Sequence, residues 1–180
     1  MGVATLLTFG HGIASQQQIT DLLREEGVEN LVDVRTAPGS RRNPHVGRDS
    51  LQEWLPEAGI AYRWEKDLGG FRKAAPDSPD VGWTNPSFRG YAGYARTPQF
   101  VAAIDRVLAE AGSRTTVVMC SESVWWRCHR RIIADFVVLA RGAVVRHLMH
   151  DGRLAEHRPT ESARLTDGGL LVYDAGALGS

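Results

Sequence analysis

Lysine, cysteine, net charge and long apolar runs are what this sequence lacks. The chain has 180 residues and only two lysines, Lys66 and Lys73, so nineteen of its 21 basic side chains are arginine. Arginine is the side chain suited to bidentate contact with carboxylate or phosphate. Basic and acidic residues balance at 21 each, so bulk electrostatics do not mark a nucleic-acid or membrane-surface binder. Two cysteines rule out a disulfide scaffold and leave catalysis, redox chemistry, metal binding or plain packing. No window approaches the roughly 20 apolar residues of a membrane helix, and the start MGVATLLTFGHG has no charged leader. The expectation is a cytoplasmic protein without a membrane partner.

Apolar residues make up 43% of the chain and charged residues 23%, a composition that supports one packed domain spanning 1–180. Apolar strand-like runs and helical periods alternate along it. Leu6 to Gly10 reads as a strand, followed by a helix capped by Ser15 and Gln18 and stopped at Gly27; Leu31 to Val34 reads as the next strand. Ser50 and Glu53 suggest another capped helix, with Pro56 near its end, before a strand from Ala61 to Trp64. Residues 66–96 hold no sustained period and read as a long ordered loop over a site. Thr97 and Pro98 open the clearest helix, expected to stop at Gly112, before a strand from Thr115 to Met119. A helix around Ile132 to Ala140 ends at Gly142 and leads into a strand from Ala143 to Leu148, and 151–180 reads as a peripheral segment, forming a hairpin or a terminal strand at Leu170 to Tyr173, with a frayed end. The alternation predicts an α/β fold of three layers: an open, mostly parallel sheet with helices on both faces, Rossmann-like or flavodoxin-like.

In such a sheet the carboxyl ends of the strands form the pocket. Three strand ends carry polar residues: His11 after the first, Asp33 and Arg35 at the second, and Cys120 with Glu122 after the fourth. Cys120 ends a buried strand just ahead of a helix, where free backbone N–H groups stabilise a thiolate, so it is the candidate nucleophile, with His11, His129 or Glu122 as its base. Six residues separate Cys120 from Arg127 and none is glycine, which weakens a phosphatase- or rhodanese-like anion cradle. Cys120 and Cys128 are also a candidate redox pair if the loop folds back. A metal site from Cys120, Cys128, His129, Glu122 and His11 lacks the spacing of a specific motif, and the sequence names no cofactor.

Arg127, Arg130 and Arg131 crowd a helix start, where cations need an anionic neighbour. That neighbour is either a bound anion, clamped by Arg35, Arg127 and Arg130, or an internal carboxylate such as Glu122, Asp33 or Asp135. Ser40, Arg41 and Arg42 form a second basic loop, and Phe88 to Tyr94 interleaves rings with Arg89. Ser40 and Tyr91 are therefore further candidate ligand contacts.

The set Thr8-Phe9-Gly10-His11, Asp33-Val34-Arg35 with Pro38 and Ser40, Leu68-Gly69-Gly70, Phe88 with Tyr91-Ala92, and Cys120-Ser121-Glu122 followed by Cys128-His129-Arg130 resembles the bacterial family called domain of unknown function 488. The resemblance spans most of residues 5–150, implies a compact α/β fold, and suggests that the two cysteines and His129-Arg130 matter. It supplies no reaction. Trp125-Trp126 and Arg41-Arg42 depart from the commoner pattern.

Three functions follow as expectations. The first is an enzyme-like Cys/His/Arg pocket for a small anionic, phosphorylated or nucleotide-like ligand. The second is a nucleic-acid or protein-binding module, with Arg41, Arg42, Arg89 and Arg131 on phosphates and Tyr91, Tyr94 or Trp125 stacking on bases. The third is a thiol redox sensor built on Cys120 and Cys128.

Overall fold

The computed structural model describes residues 4–39 and 41–175. Its frame is a six-stranded sheet of β1 (Thr5–Gly10), β2 (Asn30–Asp33), β3 (Ala61–Trp64), β4 (Thr116–Cys120), β5 (Val144–Leu148) and β6 (Leu154–Glu156), in the order β3-β2-β4-β1-β5-β6. The first five strands are parallel and β6 is an antiparallel edge. Helices α1 (Gln16–Glu25) and α2 (Arg48–Glu57) cover one face. Helices α3 (Pro86–Tyr94), α4 (Pro98–Ser113) and α5 (Arg130–Arg141) cover the other. This is the three-layer α/β architecture that the alternating pattern predicts.

Alternation along the strands creates two cores. On β1, Leu7 and Phe9 pack with Leu31, Val117 and Met119 beneath α1 and α2. Leu6 points to the opposite face with Val118, Cys120 and Val145, under α4 and α5. Parallel register sets Thr8 beside His147 and Gly10 beside Cys120, which puts polar side chains inside the α5 layer.

Local chemistry accounts for most element ends. Ser15 and Gln18 close the capping box on α1, Thr97 caps α4 with Pro98 in its first turn, and Gly142 terminates α5 in the left-handed conformation at φ 66°. Several expectations need correction. Ser50 and Glu53 lie inside α2, whose N-cap is Gly47. Gly112 lies within α4, which runs to Ser113. β2 begins and ends one residue earlier than Leu31 to Val34.

Residues 66–96 are not loop throughout, because α3 occupies Pro86–Tyr94. Asn85 caps that helix by accepting from Ser87 N–H, and Pro86 pre-sets its first turn. Gly90 and Gly93 hide its period, and Gly90 is required because a Cβ there would lie 1.9 Å from the Arg72 carbonyl oxygen. The C-terminal segment adds β6 and a hairpin of β7 (Ala163–Leu165) and β8 (Leu171–Tyr173). It is more than a peripheral ribbon: His157, Leu171 and Tyr173 are buried. The closing GALGS, expected to fray, lies outside the described residues. No helix among the described residues is long and apolar enough to cross a membrane.

Candidate active site

At the carboxyl edge of β1, β2 and β4 lies a cleft of about 500 Å³, lined by His11, Arg35, Cys120, Glu122, Arg127, Cys128 and His129 together with Thr36, Gly70, Phe71, Phe88 and Tyr91. Asp33 and Arg130 lie behind this lining, and Ser40 is outside the described residues.

Two free thiols meet at the cleft floor. Cys120 Sγ at the end of β4 lies 3.1 Å from Cys128 Sγ at the entry to α5. Arg130, the first residue of α5 and only 1% exposed, donates from Nε to Cys120 Sγ at 2.9 Å and to Cys128 Sγ at 3.2 Å, and its backbone N–H reaches Cys128 Sγ at 3.3 Å. Burial opposes ionisation of Cys128, but the hydrogen bond from Cys120 and the charge of Arg130 overcome it and bring that thiol down to about 5. Burial and the hydrogen bond to Cys128 push the Cys120 thiol well up. The two sulfurs share one guanidinium and titrate as a pair, with burial and the mutual hydrogen bond raising Cys120 while that hydrogen bond and Arg130 lower Cys128.

At the crowded start of α5 the Arg130 guanidinium is met by the two cysteine sulfurs, not by a carboxylate. A carboxylate pairing of Arg131 with Asp135, one helical turn away, does not form: Arg131 donates to Thr160 Oγ1 at 2.9 Å and lies over Trp83. Room for the Arg130 guanidinium comes from Gly10, where a Cβ would sit 2.6 Å from Nη2 and 1.8 Å from the Glu122 carbonyl oxygen that Nη2 contacts.

A buried chain of hydrogen bonds holds Arg130 from behind. Its Nη1 donates to Thr8 Oγ1 at 3.1 Å; Thr8 lies 2.6 Å from His147 Nδ1, His147 Nε2 lies 2.8 Å from His157 Nδ1, and His157 Nε2 lies 2.7 Å from Asp135 Oδ1. Tyr173 donates to the other Asp135 oxygen at 2.7 Å. Burial, with the Arg130 charge adding, keeps His147 neutral by lowering it to about 2. One consistent polarity runs from Arg130 through Thr8, His147 and His157 to the Asp135 carboxylate. Trp125 closes the chain from above by stacking on His147 at 4.2 Å and 3°. Thr8 carries a sequence signal as the lone hydroxyl in the buried run LLTFG, whereas nothing local in the sequence links His147 and His157 to the site.

The three candidate bases line the cleft and each is already engaged within the chain. His11 donates from Nδ1 to the Gly12 carbonyl at 2.9 Å, and its Nε2 faces Arg35 Nη1 at 3.3 Å. Burial, with the Arg35 charge adding, lowers it to about 4. His129 donates from Nε2 to the Val34 carbonyl at 2.7 Å, and burial lowers its pKa too. Glu122 lines the cleft and accepts from Val124 N–H at 3.1 Å through Oε1. None of the three side chains hydrogen-bonds to either sulfur among the described residues.

The arginine clamp is likewise reduced. Arg35 forms a buried two-pronged ion pair with Asp33, which also accepts from Tyr62 OH at 2.6 Å. Of the three clamp arginines only Arg127 is exposed and makes no side-chain ion pair or hydrogen bond among the described residues. The stacking residues of the nucleic-acid expectation are engaged within the chain. Tyr91 is 1% exposed, packs on His129 and donates to the Leu68 carbonyl at 2.7 Å. Tyr94 lies under Arg72 and donates to the Asp67 carbonyl, and Arg89 donates to the Trp83 carbonyl. Arg41 and Arg42 remain exposed. No group of three or more potential metal ligands occurs among the described residues.

No curated protein and no solved structure matches this sequence. The family description Domain of unknown function DUF488 matches residues 15–137, more than half of the chain. That span includes Cys120, Cys128 and Arg130 and leaves Thr8, His11, His147 and His157 outside it. The chain belongs to the family Domain of unknown function DUF488.

Proposed function

We propose that the cleft is a dithiol–disulfide exchange site in which Cys128 attacks and Cys120 resolves. The observation that carries this reading is the 3.1 Å contact of two free sulfurs over one buried guanidinium, with both sulfurs lining an open cleft. The Cys128 thiolate would displace one sulfur of a substrate disulfide, forming a mixed disulfide and releasing the first substrate thiolate. Cys120 would then lose its proton to that leaving thiolate and attack Cys128 Sγ, forming the Cys120–Cys128 disulfide and expelling the second thiolate. The substrate disulfide is reduced by two electrons and the protein dithiol is oxidised by two. Arg130 serves both halves, since it stabilises negative charge on either sulfur.

The test is intact-protein and peptide mass spectrometry after brief exposure of the reduced protein to hydroxyethyl disulfide. The wild type is expected to lose two hydrogens and carry no adduct, Cys120→Ser to trap the adduct on Cys128, and Cys128→Ser to do neither. Two free thiols in the treated wild type, or an adduct trapped on Cys120, would overturn the assignment.

A further inference from the structure

Phe71 lines the same cleft, yet its side chain is 89% exposed. Its backbone has φ 59°, the one positive φ outside glycine among the described residues. A bulky side chain in the left-handed region is strained, and exposing a phenyl ring to water forgoes apolar burial. Among the described residues no stacking or cation contact of that ring offsets either cost.

The neighbours hold Phe71 in this state. On one side Thr36 Oγ1 donates to the Gly70 carbonyl at 3.0 Å, and Gly69 lies so close that a Cβ would be 2.9 Å from Thr36 Cα. A Cβ on Gly70 would lie 3.2 Å from His129 Nδ1, so the turn is packed directly on the residue that follows Cys128. On the other side the Arg72 guanidinium lies 3.7 Å from the centre of the Tyr94 ring, and its carbonyl abuts Gly90 of α3. Both flanks of Phe71 are therefore fixed to the site, and only the ring itself is unpartnered. A second ring, Phe88, lines the same cleft from α3.

We infer that Phe71 is the specificity determinant of the cleft: an apolar platform that stacks on the non-reacting part of the substrate. The substrate class is then a disulfide whose thiol half carries a planar apolar group. This inference rests on the dithiol reading above. The strained turn pre-orders the ring beside the thiols, so that stacking is gained on binding without ordering a loop first.

The experiment compares exchange rates with two probes, dithiodipyridine, which is planar, and hydroxyethyl disulfide, which is not. Phe71→Gly suits the positive φ, so this variant retains the fold. It is expected to react about tenfold more slowly with dithiodipyridine, the size of one lost aromatic contact, while its rate with hydroxyethyl disulfide stays within about twofold of wild type. Phe71→Tyr is expected to keep the wild-type preference. Equal slowing with both probes, or no slowing with either, overturns the role of Phe71. Failure of the wild type to react at Cys128 with either probe overturns the dithiol reading instead.

Discussion

Replacing Arg130 by methionine tests the electrostatic core of this site. Its Nε lies 3.2 Å from Cys128 Sγ and 2.9 Å from Cys120 Sγ, with the whole side chain buried. At that separation and an effective dielectric constant of about 20, one charge pair is worth about 5 kcal/mol, or about four pKa units. The fall of Cys128 to about 5, against burial, is shared between the hydrogen bond from Cys120, which is the larger cause, and the Arg130 charge. In Arg130→Met the alkylation midpoint of Cys128 is therefore expected to climb by roughly one to two units, the hydrogen bond from Cys120 retaining the rest of the depression. The rate at neutral pH is the wrong readout. Thiolate nucleophilicity rises with basicity at a Brønsted slope of about 0.4–0.5, so a rarer but more basic thiolate nearly conceals the change. The assay is iodoacetamide labelling over roughly pH 4 to 10, resolved by peptide mass spectrometry, with the midpoint as the result. Arg130→Lys retains the charge without the planar fork and is expected to fall between the two. A folded Arg130→Met protein whose midpoint stays within about half a unit of wild type would refute the argument.

Other predictions follow from the same network. His11 and His147 stay neutral in the fold down to about 4 and about 2, while their unfolded forms protonate near 6.5; below that pH the unfolded chain binds more protons, so stability falls. At pH 5 each should cost about 2 kcal/mol relative to pH 7, measured as a shift in urea midpoint, and a flat profile would contradict the burial of both rings. Thr8→Val leaves His147 Nδ1 and Arg130 Nη1 without their shared hydroxyl. It is expected to destabilise the protein by about 1–3 kcal/mol and to raise the Cys128 midpoint by less than Arg130→Met, with Thr8→Ser restoring both. Gly10→Ala forces a methyl group onto the Glu122 carbonyl oxygen and Arg130 Nη2. It is expected to cost about 3 kcal/mol and to raise the Cys128 midpoint; a wild-type melt and midpoint would contradict the packing at β1.

The fold was largely legible because its signals are local. The Ser15 capping box, Thr97-Pro98 and Gly142 each act on backbone groups within a few residues of themselves, and the short apolar runs exclude water from both faces at once. Helix α3 was not legible because two glycines interrupt its period while Asn85 and Pro86, the actual start signals, sit inside a polar run. The hairpin with a strand near Leu170 to Tyr173 was legible, but not its reach into the network, since the Tyr173 hydroxyl is directed at Asp135, 38 residues away.

The sequence by itself determined the layered α/β class, the strand ends whose polar residues gather at one cleft, and the pairing of Cys120 and Cys128 as candidates. It could not rank those two sulfurs, since their ionisation depends on which one Arg130, its own backbone N–H and burial favour together. Nor could it reveal that Arg35 is neutralised by Asp33, or that Arg130 is anchored through Thr8, His147 and His157 to Asp135. Those interactions join strands β1 and β5 to helix α5 and the segment beyond β6. Charge and hydrogen bonding act through distances of about 3 Å, and only the folded chain brings groups so far apart in sequence to that range.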